Sequence, residues 1–194
     1  MAFLTLLDRS GWSVTASSTW DASFVATRML DGNDSTDWHS GSAAVYPHSI
    51  VLDLGSAKVF DTFRFKPRSD TRNPATSEVY VSDDGVTWGS AVGTASGWDS
   101  SVAAKDITFA SSVTKRYVKF VGLTAAAGAG NYMGSAEVYL GLTFTPVYRI
   151  SAPGVPAGKD ARVGPHNHFV HPPIAPCDGG GGGGGGSSNY GYTA

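Results

Sequence analysis

From residue 10 to residue 141, apolar and polar positions alternate in short runs with a period of two. GWSVTASST, HSIVLDLG, KVFDTFRFK, TSEVYVS, KDITFA, KRYVKFVGL and SAEVYL each read as a strand, rich in β-branched and aromatic residues and bounded by turn formers. SDDGVTW sets Asp84-Gly85 just after a strand, a strong short-range hairpin signal. No long segment carries helical spacing, and only SFVATRMLDG has room for a short helical turn. Many short strands at this spacing predict an all-β antiparallel sandwich or jelly roll. Trp38, Trp88 and Trp98 read as its core or rim.

The alternation stops near Gly141. Residues 1–141 therefore read as one domain and 142–194 as an extended Pro/Gly-rich C-terminal tail. The tail holds most of the chain's prolines and the unbroken run Gly179–Gly186, too little apolar surface for a core of its own. Polyglycine loses much backbone entropy on ordering and has no side chains to offset it. A flexible tail and a segment packed along its own domain are two readings of it; the expected one is an assembly anchor that contacts other chains, which makes an oligomer the expected state.

Composition narrows the function classes. Charged residues are 15% of the 194, and a net charge of −2 gives no electrostatic case for nucleic acid or an anionic membrane. The N-terminal run MAFLTLLDRSGW lacks a basic leader and ends at Asp8, so neither a signal peptide nor a membrane-inserted segment is expected. The single cysteine, Cys177, excludes an intrachain disulfide. Nucleophile elbow, P-loop, dinucleotide fingerprint and HExxH are all missing, so no enzyme is expected. Asp83 and Asp84 fall in the hairpin turn, a poor place for an acid/base pair. PHNHFVHPP offers His166, His168 and His171, which read either as a zinc or nickel site without a fourth ligand or as an extended polar segment.

LDGNDSTDWHS packs three Asp, one Asn, two Ser and one Thr around Gly32 and Trp38. Such oxygen density suits a hard cation, which takes oxygens from carboxylates, carbonyls and hydroxyls. The EF-hand spacing is absent. A solvated turn built on Asn and Asp side chains is the plainer reading of the same residues.

ATRMLDGNDSTDWHS, PHSIVLDLG, FRFKPRSD, SEVYVSDDGVTW, KRYVKFVGL and SAEVYL occur in that order. Together they resemble the coagulation-factor type C (discoidin) domain, most of all its carbohydrate-binding bacterial and fungal members of the galactose-oxidase N-terminal type. The resemblance covers about residues 10–141 and implies a galactose-binding-like, eight-stranded jelly-roll sandwich. It also implies a structural calcium ion. Its ligands would be the carbonyls of Arg28, Asn33, Thr36 and Ala136, the Thr36 hydroxyl, and the carboxylates of Asp31 and Glu137. Sodium or water is the competing occupant. The ion would tie the first loop to the last strand.

The same resemblance implies a sugar-binding end, where an aromatic ring stacks on the pyranose and planar polar groups reach its hydroxyls. The Arg-x-x-x-x-Asn pair is matched by Arg68 and Asn73, and the stacking aromatic by Tyr132, with Asn131 beside it. His39 and Tyr46 lie in loops that could reach that end. Arg68 pairing with Asp70, Asn73 as a turn residue and Tyr132 as a core cap are the alternatives. The expected function is thus a non-catalytic carbohydrate-binding module for cell-surface glycans. A purely structural assembly protein and a module of an exported bacterial adhesin or secreted glycosidase are the other readings. A phage virion, as a tail or decoration protein, is the expected location, because release by lysis needs no secretion signal.

Overall fold

The computed structural model describes residues 3–41, 43–68 and 72–144. Nine strands run through them: β1 (Phe3–Leu6), β2 (Ser13–Ala16), β3 (Trp38–His39), β4 (His48–Lys66), β5 (Pro74–Ser82), β6 (Gly93–Ala95), β7 (Lys105–Ala125), β8 (Gly134–Ser135) and β9 (Glu137–Phe144). One 3-10 turn, Ala26–Leu30, is the helical element, inside the segment where the sequence left room for it. Every pairing is antiparallel. One sheet runs β1-β9-β4-β7-β5-β6 with β2 added to β4, and β3 pairs with β8 in a separate two-stranded ribbon. This is the jelly roll that the pattern predicted.

Four of the runs read from sequence merge into two long bent strands. HSIVLDLG and KVFDTFRFK are both β4, while KDITFA and KRYVKFVGL are both β7. Their mutual pairing holds from His48↔Gly122 to Asp53↔Tyr117 and resumes at Lys58↔Lys115 after a bulge. The exposed stretch Gly55–Val59 of β4 sits at this bend, so one strand serves the core twice, first through Ile50, Leu52 and Leu54 and then through Phe60, Phe63 and Phe65. SDDGVTW is not a two-residue hairpin. β5 ends at Ser82 and β6 begins only at Gly93, because the Asp84 carboxylate accepts the amides of Val86 and Thr87 and organises a longer loop.

The core is aromatic. Phe63 and Phe120 stack at 4.8 Å, and Phe65 packs on Phe120 at 5.2 Å with Trp98 beyond. Trp38 is fully buried, as the sequence suggested, and its indole N–H donates to the Ser18 carbonyl at 2.9 Å. Among the described residues no helix is long and apolar enough to cross a membrane. The tail from residue 145, with Gly179–Gly186, Cys177 and the three histidines His166, His168 and His171, lies outside the described residues.

Candidate functional site

Strand alternation sends neighbouring side chains to opposite faces. On β3 this turns Trp38 into the core and His39 toward the end of the sandwich. His39 is nevertheless 3% exposed, because three loops close over it. Its backbone anchors two points of the first: the Trp20 amide donates to the His39 carbonyl at 2.8 Å, and the His39 amide to the Phe24 carbonyl at 3.3 Å. The second loop, before β8, arrives through the Ser40 amide on the Met133 carbonyl at 2.9 Å and the His39↔Gly134 pairing. The third, before β5, is tied in by the Gly134 amide on the Arg72 carbonyl at 3.0 Å.

The result is a cleft of about 450 Å³ lined by Trp20, Phe24, His39, Arg72, Gly128, Gly130 and Tyr132. His39 is the hub of its aromatic wall, with ring centroids 4.9 Å from Trp20, 5.2 Å from Tyr132 and 5.7 Å from Phe24. Trp20 meets Tyr132 edge-on at 5.5 Å. Arg72 lies over the Phe24 ring at 5.8 Å and donates through Nη1 to Asp37 Oδ2 at 2.9 Å.

The electrostatics of the cleft are close to neutral. Burial, helped by the nearby Arg72 charge, lowers the His39 pKa from 6.5 to about 4, so the ring is uncharged at neutral pH. Neither of its nitrogens has a hydrogen-bond partner among the described residues. Burial raises the Asp37 pKa against the pull of Arg72, and the two form an ion pair.

Of the residues expected at the sugar-binding end, the structure brings His39 and Tyr132 together in this cleft. Tyr46 supports it from behind. Its hydroxyl donates to the Tyr132 carbonyl at 3.0 Å, and burial raises its pKa. Beside it His48 Nε2 bonds the Asn131 carbonyl at 2.7 Å. Arg68 and Asn73 fall outside the cleft lining. Asn73 is fully buried, with Nδ2 donating to the Ser101 carbonyl at 3.0 Å, so it presents no face to a ligand. Arg68 is exposed and donates from Nε to the Ser35 carbonyl at 3.1 Å, on the oxygen-rich loop rather than in the cleft. The guanidinium in the wall belongs to Arg72, four residues on. Trp20, Phe24 and Arg72 escaped the sequence reading. The usable signal was TWDASF, two large rings in a segment with no strand period and hence no assigned place in the core.

The oxygen-rich loop follows the 3-10 turn. Gly32 takes φ +75°, a conformation other residues resist, and the chain folds back on itself. Asp31 Oδ1 accepts the Asn33 amide at 2.8 Å and Asp31 Oδ2 the Thr36 hydroxyl at 2.7 Å. The Asn33 carbonyl accepts both the Thr36 amide at 3.0 Å and the Thr36 hydroxyl at 2.9 Å. The Arg28 carbonyl lies opposite the Asp31 amide at 3.5 Å. Burial opposes ionisation of Asp31, but the Thr36 and Asn33 donors outweigh it and its pKa is lowered. From β9, Glu137 comes to this loop with its side chain fully buried, next to Ala136, whose amide bonds the Lys66 carbonyl at 2.8 Å. Glu137 Oε2 pairs with Arg9, whereas Oε1 is buried without a hydrogen-bond partner among the described residues. The Asp31 carboxylate and Gly32 amide are near enough to perturb Glu137, and burial raises its pKa. No group of three His, Cys, Asp or Glu side chains suited to a metal exists among the described residues. Two facing carboxylates, a hydroxyl and several carbonyls nevertheless make a hard-cation donor set, and the orphaned Oε1 is the atom such an ion would satisfy.

A model of the F5/8 type C domain matches residues 13–138. The chain belongs to that family. Galactose oxidase of Gibberella zeae is 30% identical over 129 residues, 63% of this chain but 18% of that enzyme, so the F5/8 type C domain corresponds to a small part of this relative. A carbohydrate-binding module of Clostridium perfringens, CBM32-5, solved in complex with GalNAc-β-1,3-galactose, superposes with a TM-score of 0.63 and 26% identity, covering 70% of this chain and 99% of that one. Chitosan-binding module 1 of a Paenibacillus sp. IK-5 chitosanase/glucanase gives a TM-score of 0.56 and 27% identity over 66% of this chain and 92% of that one.

Proposed function

We propose that the F5/8 type C domain of this chain is a non-catalytic carbohydrate-binding module that takes a neutral, galactose-type sugar in the cleft at the end of the sandwich. The observation that carries this reading is the wall of Trp20, His39 and Tyr132 beside Arg72. Rings of this kind stack on the apolar face of a pyranose, and a guanidinium donates to adjacent hydroxyls with a geometry that a single ammonium lacks. Neutrality favours an uncharged sugar over a sialic or uronic acid, because the Arg72 charge is matched by Asp37 and His39 is uncharged. The galactose-containing ligand of the Clostridium module and the substrate name of the fungal relative support the same class.

The test is a glycan array probed with the wild type and with Trp20→Ala. Binding to galactose- or N-acetylgalactosamine-terminated glycans is expected for the wild type and its loss for the variant. A wild type that binds no glycan would leave the cleft as a packing surface.

Calcium in the oxygen-rich loop is the accompanying proposal. Asp31, Glu137, the Thr36 hydroxyl and the carbonyls of Arg28, Asn33, Thr36 and Ala136 would hold it. The ion would supply positive charge between two carboxylates and join the first loop to β9. Chelator is expected to lower the melting temperature and calcium to restore it. At a calcium concentration a hundredfold over Kd the gain is about 2.7 kcal/mol. An unchanged melting curve would refute this part alone. The tail composition supports a separate proposal, that residues 142–194 anchor the chain to other subunits, with a phage virion as the setting.

A further inference from the structure

Arg9 lies in the turn between β1 and β2, remote in sequence from both the oxygen-rich loop and β9. Its Nη1 donates to Glu137 Oε2, to the Met29 carbonyl at 3.0 Å and to the Val138 carbonyl at 3.1 Å. The guanidinium carbon stands 4.2 Å from the centroid of the Tyr139 ring. The side chain is 15% exposed and that of Glu137 is fully buried. Backbone carbonyls of the 3-10 turn and of β9 therefore fix this cation in place, whatever occupies the loop.

The buried carboxylate is thus divided between two uses. One oxygen is committed to a cation of the chain itself. The other, Oε1, has no hydrogen-bond partner among the described residues, and the carboxyl group as a whole stands close enough to Asp31 and Gly32 to be perturbed by them. A buried carboxylate stripped of every counter-charge is strongly destabilising, so the chain needs Arg9 whenever the loop holds no ion. When an ion is held, two cations share one carboxylate and repel each other across a partly desolvated gap.

We infer that Arg9 is a resident counter-cation that sets the divalent-ion affinity of this site. It holds the Glu137 side chain in place through Oε2 in the ion-free protein, leaves a single carboxylate oxygen for the incoming ion, and weakens that ion's binding by its own charge. Arg9 is a positioning residue here, and the inference rests on the calcium reading above.

The experiment compares the full chain with Arg9→Gln, which retains a donor and loses the charge, and with Arg9→Lys, which retains the charge. Each is melted in chelator and in calcium chloride, and calcium is titrated calorimetrically. Arg9→Gln is expected to melt much lower than wild type in chelator but close to it in calcium. It should bind calcium about tenfold more tightly or better. Arg9→Lys is expected to stay within about threefold of the wild-type affinity. An equal loss of melting temperature for Arg9→Gln in both media, with a wild type that responds to calcium, leaves the calcium site standing and overturns the coupling. A wild type without calcium response but an Arg9→Gln variant with one supports the coupling, since Arg9 then fills the ion's role unaided. Calcium binding by neither protein overturns both ideas. Failure of Arg9→Gln to fold in calcium as well as in chelator contradicts the coupling, because the ion should supply the missing charge.

Discussion

His39 stands among three aromatic rings with neither nitrogen bonded to any of the described residues, and burial holds its pKa at about 4 instead of the ordinary 6.5. The unfolded chain takes up this proton at about 6.5 and the folded chain only near 4, so between those values the unfolded state binds more protons. Stability is therefore fully present above 6.5 and falls as pH drops toward 4, by roughly 1 kcal/mol per pH unit. Denaturant titrations across that range should show the decline in the wild type and a flatter curve for His39→Gln. An equal slope in both would place the acid sensitivity elsewhere. Trp20 makes the complementary case. At 42% exposure it gives little to the core, so Trp20→Ala should leave the melting temperature nearly unchanged while weakening sugar binding about tenfold or more. The sequence placed His39 and Tyr132 at one end of the sandwich, where the structure brings both into the cleft, and it marked Trp38 as core through the large ring that follows the oxygen-rich loop. It pointed to Arg68, whereas the guanidinium that lines the cleft is that of Arg72. A spacing motif matches positions along the chain, and the direction each side chain takes in a loop depends on contacts such as the Gly134 amide on the Arg72 carbonyl.

Elements carry the cleft more than single ligand residues do. β3 and β8 are two residues each, too short to announce themselves by alternation, yet their pairing places His39 beside Gly134 and so brings Tyr132 to the site. The long strands show the opposite limit. The sequence revealed every half of β4 and β7 but not their continuity, because bend and bulge reside in exposed polar positions that also look like turns. β7 touches the residues behind the cleft at Gly122. A Cβ there would stand 2.5 Å from Met133 Sδ, 3.1 Å from Pro74 Cβ and 3.3 Å from Tyr46 Cε1. Met133 adjoins Tyr132, and Tyr46 bonds its carbonyl. Gly122→Ala is accordingly expected to cost about 1–3 kcal/mol and to weaken sugar binding without touching the sugar, measured by chemical denaturation alongside a binding titration. A variant with wild-type affinity and stability would mean that the support behind Tyr132 yields freely.

For the whole molecule, the family match to residues 13–138 and the closure of β1 on β9 put a complete jelly roll within residues 3–144. A chain ending at Phe144 is expected to fold, to keep its calcium-dependent melting and to bind sugar like the full chain, while losing any assembly that residues 145–194 provide. Size-exclusion chromatography with light scattering on both chains checks this, and equal assembly by the truncated chain would remove the tail from the anchoring role. The tail's composition was legible at once, but composition says only that it cannot build its own core. The central claim is that the Trp20–His39–Tyr132 wall with Arg72 is a sugar site. Its most direct test is a calorimetric titration of GalNAc-β-1,3-galactose into the wild type and into folded Trp20→Ala. Saturable heat for the wild type and affinity about tenfold weaker or worse for the variant is the predicted result. Equal affinity in the two proteins, or no heat in the wild type with this or any other galactose-terminated glycan, would contradict it.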